Sequence, residues 1–196
     1  MHIETRVKAY HPVYIADYPF ADSLNNRVRP LLENYKGGIG HTNVKATHTE
    51  WQWGMDIPEM KKFAKYILAE VDRYAECKLI DKTVYRPRLT NLWANIYEKG
   101  DSAQQHNHMP NFMSFAYFVK AKWYDSPFIL TDSGKKVRPK EGRFCLFPAY
   151  MHHAVPKHRY KHQRITLSGN IDMDEVKENP IERLNWFSPN GREDLK

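Results

Sequence analysis

Four side chains in the second half of the sequence have the chemistry of a metal site with an anchor for an anion. His106 and His108 stand one residue apart, and alternate residues of an extended chain point the same way, so on a strand the two imidazoles project side by side. A second pair, His152 and His153, follows the apolar run FCLFP about 45 residues later. Adjacent residues of a strand face opposite sides, so only one of that pair can join the first two; the other belongs at the surface or behind the site. Arg164 opens the run RITLSGN eleven positions beyond His153. Imidazole suits Fe, Zn, Cu and Ni, and a guanidinium grips a carboxylate through two parallel charge-assisted hydrogen bonds. The bland account is a set of hydrogen-bonded surface or core histidines and an outward arginine paired with a surface acid.

Alternation in RITLSGN places Arg164, Thr166, Ser168 and Asn170 on one face, with Ile165, Leu167 and Gly169 on the other. A polar face inside a small barrel needs partners, because an unpaired buried polar group costs about 1–3 kcal/mol. A bound dicarboxylate supplies them, with Thr166 adding a bond to those of Arg164.

The elements that must position these residues are helices first and strands after. From Asp22 or Ser23, either able to cap a helix, Leu24, Val28, Leu31, Leu32 and Tyr35 recur at helical spacing. Pro30 is expected to kink that helix, and the glycines of GGIG at 37–40 end it. A second helix is expected over 57–77, with Asp56 as N-cap, Pro58 in the first turn and a stripe through Met60, Phe63, Ala64, Ile67, Leu68, Val71, Tyr74 and Ala75. Residues 1–20 suggest one short edge strand around Val13 and Ile15. From Val84 the period becomes two, predicting strands at 84–89, 92–97, 113–119, 128–131, 143–147, 154–156 and 164–171. KGD, DSG and KEG supply turns between them. DSAQQ at 101–105 reads as a loop, so His106 and His108 are expected at the start of a strand near a barrel mouth.

This order indicates an α+β fold in which helices brace one side of an antiparallel sandwich or barrel. The chain of 196 residues is expected to be one domain: helical support over about 1–80, a barrel over about 81–171 and a polar extension over about 172–196 that wraps the outside. Apolar residues make up 41% of it, which argues against disorder. No stretch reaches the roughly 20 apolar residues of a membrane span, and MHIETRVKAYHP is no secretory signal, so a cytoplasmic location is expected. Cys77 and Cys145 are too few for a disulfide framework and lack zinc-site spacing; both read as buried small hydrophobes.

The net charge of +7 is uneven, with 11 basic and 10 acidic residues in 1–80 against 19 and 13 in 81–196. Between Lys120 and Arg164 there are 11 basic and 3 acidic side chains. Such a field favours an anionic substrate or partner, nucleic acid included, or is simply a solvated lysine-rich rim.

The ordered set of motifs resembles the Fe(II)- and 2-oxoglutarate-dependent oxygenases, specifically a small group common among bacteria and tailed phages. The matching residues are Trp93, Asn95 and Tyr97; His106 and His108; Ser114 to Val119; Phe147, Pro148, His153, Val155 and Pro156; and Arg164 to Asn170. The resemblance covers about 91–171 and is weaker before that. It implies a double-stranded β-helix, with His106 and His153 as iron ligands and Arg164 on the distal carboxylate of 2-oxoglutarate. It also implies O2 as a reactant, with hydroxylation of a second, unidentified substrate, a peptide side chain or another molecule. If the gene is a phage's, the site of action is the host cytoplasm. His108 stands where the family usually has the Asp or Glu of HxD/E; three neutral histidines are the expected ligand set, the alternative being a displaced His108 with water in its place. Asn95 and Tyr117 are candidates for lining the pocket, against a role packing the barrel wall. Competing readings are a cupin-type three-histidine dioxygenase acting without 2-oxoglutarate and a non-enzymatic barrel that binds an anionic ligand or nucleic acid. The literal string HNH does not support a nuclease, because that motif's residues are dispersed rather than consecutive.

Overall fold

The computed structural model describes residues 11–38, 43–75 and 85–175. In chain order its elements are β1 (Tyr14–Asp17), α1 (Ala21–Glu33), β2 (Val44–Lys45), β3 (Thr47–His48), α2 (Pro58–Ala75), β4 (Tyr85–Tyr97), β5 (Ser102–His106), β6 (Met113–Lys120), β7 (Phe128–Leu130), β8 (Lys135–Val137), β9 (Arg143–Pro148), β10 (His153–Val155) and β11 (Arg164–Glu175). The larger sheet has the order β1-β9-β6-β11-β4-β3 and the smaller β2-β5-β10-β7-β8. All pairings are antiparallel, and the two sheets face each other as the expected double-stranded β-helix.

Period-two alternation divides the larger sheet into two working faces. In β11 the residues Ile165, Leu167 and Ile171 point toward the helices. They join Leu92, Ala94 and Ile96 of β4, Phe115, Tyr117 and Val119 of β6, and the buried stripes of both helices, Leu24, Val28 and Leu32 of α1 and Met60, Phe63, Ile67 and Val71 of α2. The opposite face supplies Tyr97, Ala116, Phe118, Cys145 and Phe147 to a second core shared with Phe128, Leu130 and Val155 of the smaller sheet. The candidate site residues lie on this side of the larger sheet.

Several expectations need correction. Helix α1 starts at Ala21, with Phe20 at the N-cap position and no side-chain cap, so neither Asp22 nor Ser23 caps it; the helix runs through Pro30 to Glu33. In α2 the Lys61 amide bonds the Ile57 carbonyl, which makes Ile57 the residue before the first turn in place of Asp56. The strands expected at 84–89 and 92–97 are one, continuous through Asn91 and paired along the length of β11. DSAQQ is largely strand β5, so His106 lies at a strand's end and His108 beyond it. The first 10 residues, Ile39 and Gly40, Cys77, Val84 and the segment 176–196 fall outside the described residues.

Gly169 shows how tightly the helix-facing layer is filled. A Cβ there would stand 2.6 Å from the Asn91 carbonyl oxygen and 2.6 Å from the edge of the Phe115 ring, a separation real side chains do not adopt. Gly169→Ala is expected to cost about 1–3 kcal/mol through overpacking, seen as a lower urea midpoint at unchanged slope. An unchanged midpoint would show that β4 and Phe115 yield freely.

Candidate metal centre and cofactor cavity

His106 at the end of β5 pairs directly with His153 at the start of β10, which brings residues far apart in sequence onto one point. His108 completes the group: the three residues offer ring nitrogens that all lie within 4.8 Å of one another. Its backbone amide bonds the Ala149 carbonyl, which holds the residue in place beyond the strand. His106 Nδ1 lies 2.7 Å from the Gln104 carbonyl and His153 Nδ1 3.2 Å from that of Met151. A carbonyl only accepts, so both Nδ1 atoms carry the proton and each Nε2 keeps its lone pair, as metal-ligating histidines require.

His108 Nε2 and His153 Nε2 stand 3.1 Å apart. Two cis ligands at about 2.1 Å from an ion are separated by about 3.0 Å. Burial, followed by repulsion from His106, depresses the His108 pKa to about 4, while a bond to the Asn170 side chain acts the other way. The same two causes, burial first, hold the pKa of His153 well below its ordinary value. Neutral imidazoles crowded around one point are a donor set that fits a divalent transition-metal ion.

His152 is excluded by alternation. It is half-exposed, and its backbone amide and ring both bond Asp132, at 2.7 and 3.1 Å. The expectation that only His153 faces inward is met.

The three histidines open on a cavity of about 220 Å³ that Arg164, Thr166, Ser168 and Asn95 also line. Arg164 is 1% exposed. The Tyr97 and Phe118 rings flank its guanidinium at 4.8 and 5.2 Å, and its Nε and Nη1 atoms have no hydrogen-bond partner. Desolvation lowers its pKa, opposed by Tyr97 and Asp125, yet a guanidinium keeps its proton in a protein. A buried cation with unspent donors facing a hollow fits a carboxylate. Asn95 lines the cavity as expected, with its Oδ1 unpartnered.

Tyr117 does not. Register places it opposite Leu167, while its neighbour Phe118 is opposite Thr166, so Tyr117 faces the helices, where its hydroxyl donates to Asn25 at 2.8 Å. Every residue of 113–119 is buried, and the polar marker among them, Ser114, which bonds Asn170, lies on the face opposite Tyr117.

Two further lining residues, His48 and Trp51, carry no signal in the sequence. They reach the cavity because β3 pairs with β4, setting His48 opposite Asn95. The rings of His48, Trp93, His108, His153 and Phe128 lie in successive stacked contacts, and Trp51 meets Trp93 edge-on.

Residues 130–170 match the family model described as "Putative 2OG-Fe(II) oxygenase". Solved structures share the fold. The 2-oxoglutarate complex of a viral collagen prolyl hydroxylase from Paramecium Bursaria Chlorella virus-1 is 14% identical, with a TM-score of 0.63 over 81% of this chain and 94% of that one. A prolyl-4-hydroxylase from Pseudomonas putida is 13% identical, with a TM-score of 0.61 over 83% and 92%. HygX from Streptomyces hygroscopicus, with nickel and 2-oxoglutarate bound, is 11% identical at a TM-score of 0.60, covering 82% of each chain. No curated protein sequence matches the chain. The matched segment, which includes His153 and Arg164, is similar to the 2OG-Fe(II) oxygenases, and the solved structures share the fold.

The depressed histidine pKa values set a pH dependence for the metal-free protein. Below about pH 6.5 the unfolded chain binds protons at these rings, while folded His108 does so only near pH 4. Stability is therefore expected to fall as pH drops through that window. Urea melts at pH 7 and pH 5 test this, and a His108→Asn variant is expected to show a smaller difference between them.

Proposed function

We propose that the protein is an Fe(II)- and 2-oxoglutarate-dependent dioxygenase in which His106, His108 and His153 hold the iron and Arg164 holds the distal carboxylate of 2-oxoglutarate. The observation that supports it most is the pairing, in one cavity, of three convergent imidazoles with a sealed guanidinium whose donors are unspent. Iron and 2-oxoglutarate bound there would supply the reduction of O2, coupling oxidation of the acid to succinate and CO2 with hydroxylation of a C–H bond of the substrate.

The chain's own residues prepare that chemistry. The Gln104 and Met151 carbonyls fix two imidazoles with their lone pairs inward, and desolvation keeps His108 and His153 unprotonated. Arg164 brings unspent donors on Nε and Nη1 to a carboxylate, and the Thr166 hydroxyl adds another. Tyr97 and Phe118 exclude water from that end and so strengthen the ion pair. The ligand set lacks the usual carboxylate, so the charge of bound 2-oxoglutarate is a larger share of what balances the metal. The second substrate enters past Trp51, which is 44% exposed, and Trp93. Flat apolar walls suit a ring-bearing or apolar group, such as the prolyl side chains for which two of the structural neighbours are named.

The three-histidine set also favours a second reading, a dioxygenase that does not use 2-oxoglutarate; the unspent donors of Arg164 argue against it. Succinate formation and O2 uptake with and without 2-oxoglutarate separate the two. His153→Ala is expected to abolish turnover while His152→Ala keeps most of it, and Arg164→Ala to raise the half-saturating 2-oxoglutarate concentration at least about tenfold, the loss of a charged hydrogen-bonded pair. O2 uptake independent of 2-oxoglutarate, or equal loss from both histidine variants, would overturn the assignment.

A further inference from the structure

The basic segment between Lys120 and Arg164 is not used by the cavity, and its surface has a definite construction. Residues 121–127, after β6, and 156–163, before β11, form two loops at the Arg164 end of the barrel. Trp123, Tyr124 and Tyr160 stand out from them, 75%, 38% and 38% exposed. Their rings are in sequence: Trp123 to Tyr124 at 5.5 Å, Tyr124 to Tyr160 at 4.8 Å, and Tyr160 stacked on His162 at 5.5 Å. A groove of about 280 Å³ runs beside them, lined by Tyr124, Tyr160, Lys136, Lys157 and Arg159. Lys122 and Lys161 are exposed next to the rings.

Exposed aromatic rings are normally drawn back into a core, so a row of them held outward needs a framework. Here the framework is a set of hydrogen bonds between and beneath the loops. The Ser126 hydroxyl donates to the Lys157 carbonyl at 2.9 Å, tying the loops together. Buried Asp125 accepts from the Lys122 amide and bonds His162, each at 2.8 Å. The His158 amide donates to the Asp101 carbonyl and its own carbonyl accepts from Gly100, which fixes the second loop to the turn after β4. The acids of the segment are spent elsewhere: Asp125 inside, Glu141 on Arg29 and Asp132 on His152. The groove therefore presents cations and aromatic rings, and the carboxylate in its lining, Asp125, is buried and engaged by His162.

We infer that this face binds single-stranded nucleic acid, its bases stacking on Trp123, Tyr124 and Tyr160 while Lys136, Lys157 and Arg159 take the phosphates. Ring faces alternating with cations match a polymer whose flat groups alternate with anions; an acidic peptide uses the cations and leaves the rings idle. Base–aromatic stacking of this kind needs no sequence readout. The inference is independent of the oxygenase assignment, since it involves none of the cavity's histidines.

The test is fluorescence anisotropy of the full chain with labelled oligothymidylate and oligouridylate of roughly 12 nucleotides, which also tells DNA from RNA, measured across a salt series. Trp123→Ala and Tyr160→Ala are each expected to weaken binding at least about fivefold without changing the salt slope, and Trp123→Phe to restore most of the loss. Lys157→Gln combined with Arg159→Gln is expected to reduce the slope by about 1.4, or about 0.7 per phosphate contact. Circular dichroism of each variant checks that folding is preserved. No binding at low salt, parental affinity in both alanine variants, or equal displacement by polyglutamate would overturn the inference and leave only a charged rim.

Discussion

A guanidinium shut away from water is tolerable in a protein only if something answers its charge. Arg164 is sealed between two aromatic rings at the inner end of the cavity, and two of its nitrogens point at nothing the chain provides. The architecture around it serves to keep that cation buried and aimed. β11 is paired on both sides, by β4 and β6, so its residues cannot rotate between faces. The helices cover one side of that strand completely, which forces every polar residue of the run to the other.

The same alternation governs the candidate metal site. His106 and His153 meet because the smaller sheet pairs them across strands, and His152 is sent outward by one residue's difference. Three elements contribute to the imidazole cluster's surroundings, yet only the loop bearing His108 departs from strand geometry, held by a bond to the Ala149 carbonyl. That departure sets the His108 ring beside those of His106 and His153. As ligands the three histidines would form an uncharged set, which desolvation favours, because neutral rings cost less to bury than a carboxylate does.

Much of this was legible in the residues themselves. The choice of His153 over His152 and the inward polar face of Arg164, Thr166 and Ser168 both follow from period two in a strand with one polar and one apolar side. Tyr117 was hard to read, because FAYFV is apolar or aromatic throughout and the parity cue lies at its ends, where Ser114 and Lys120 mark the face opposite Tyr117. β5 was hidden for the opposite reason: its residues at the cavity rim are polar and resemble a turn. His48 and Trp51 reach the cavity only through β3 pairing with β4, a contact nearly fifty residues apart in the chain, and local spacing carries no trace of such a contact.

Trp93 adds a property of a different kind. Its indole lies 5.7 Å from the His108 ring, nearly parallel to it, so a paramagnetic ion held by that imidazole would sit within reach of the excited indole. Loading of such a centre would then be readable from the indole's own light emission.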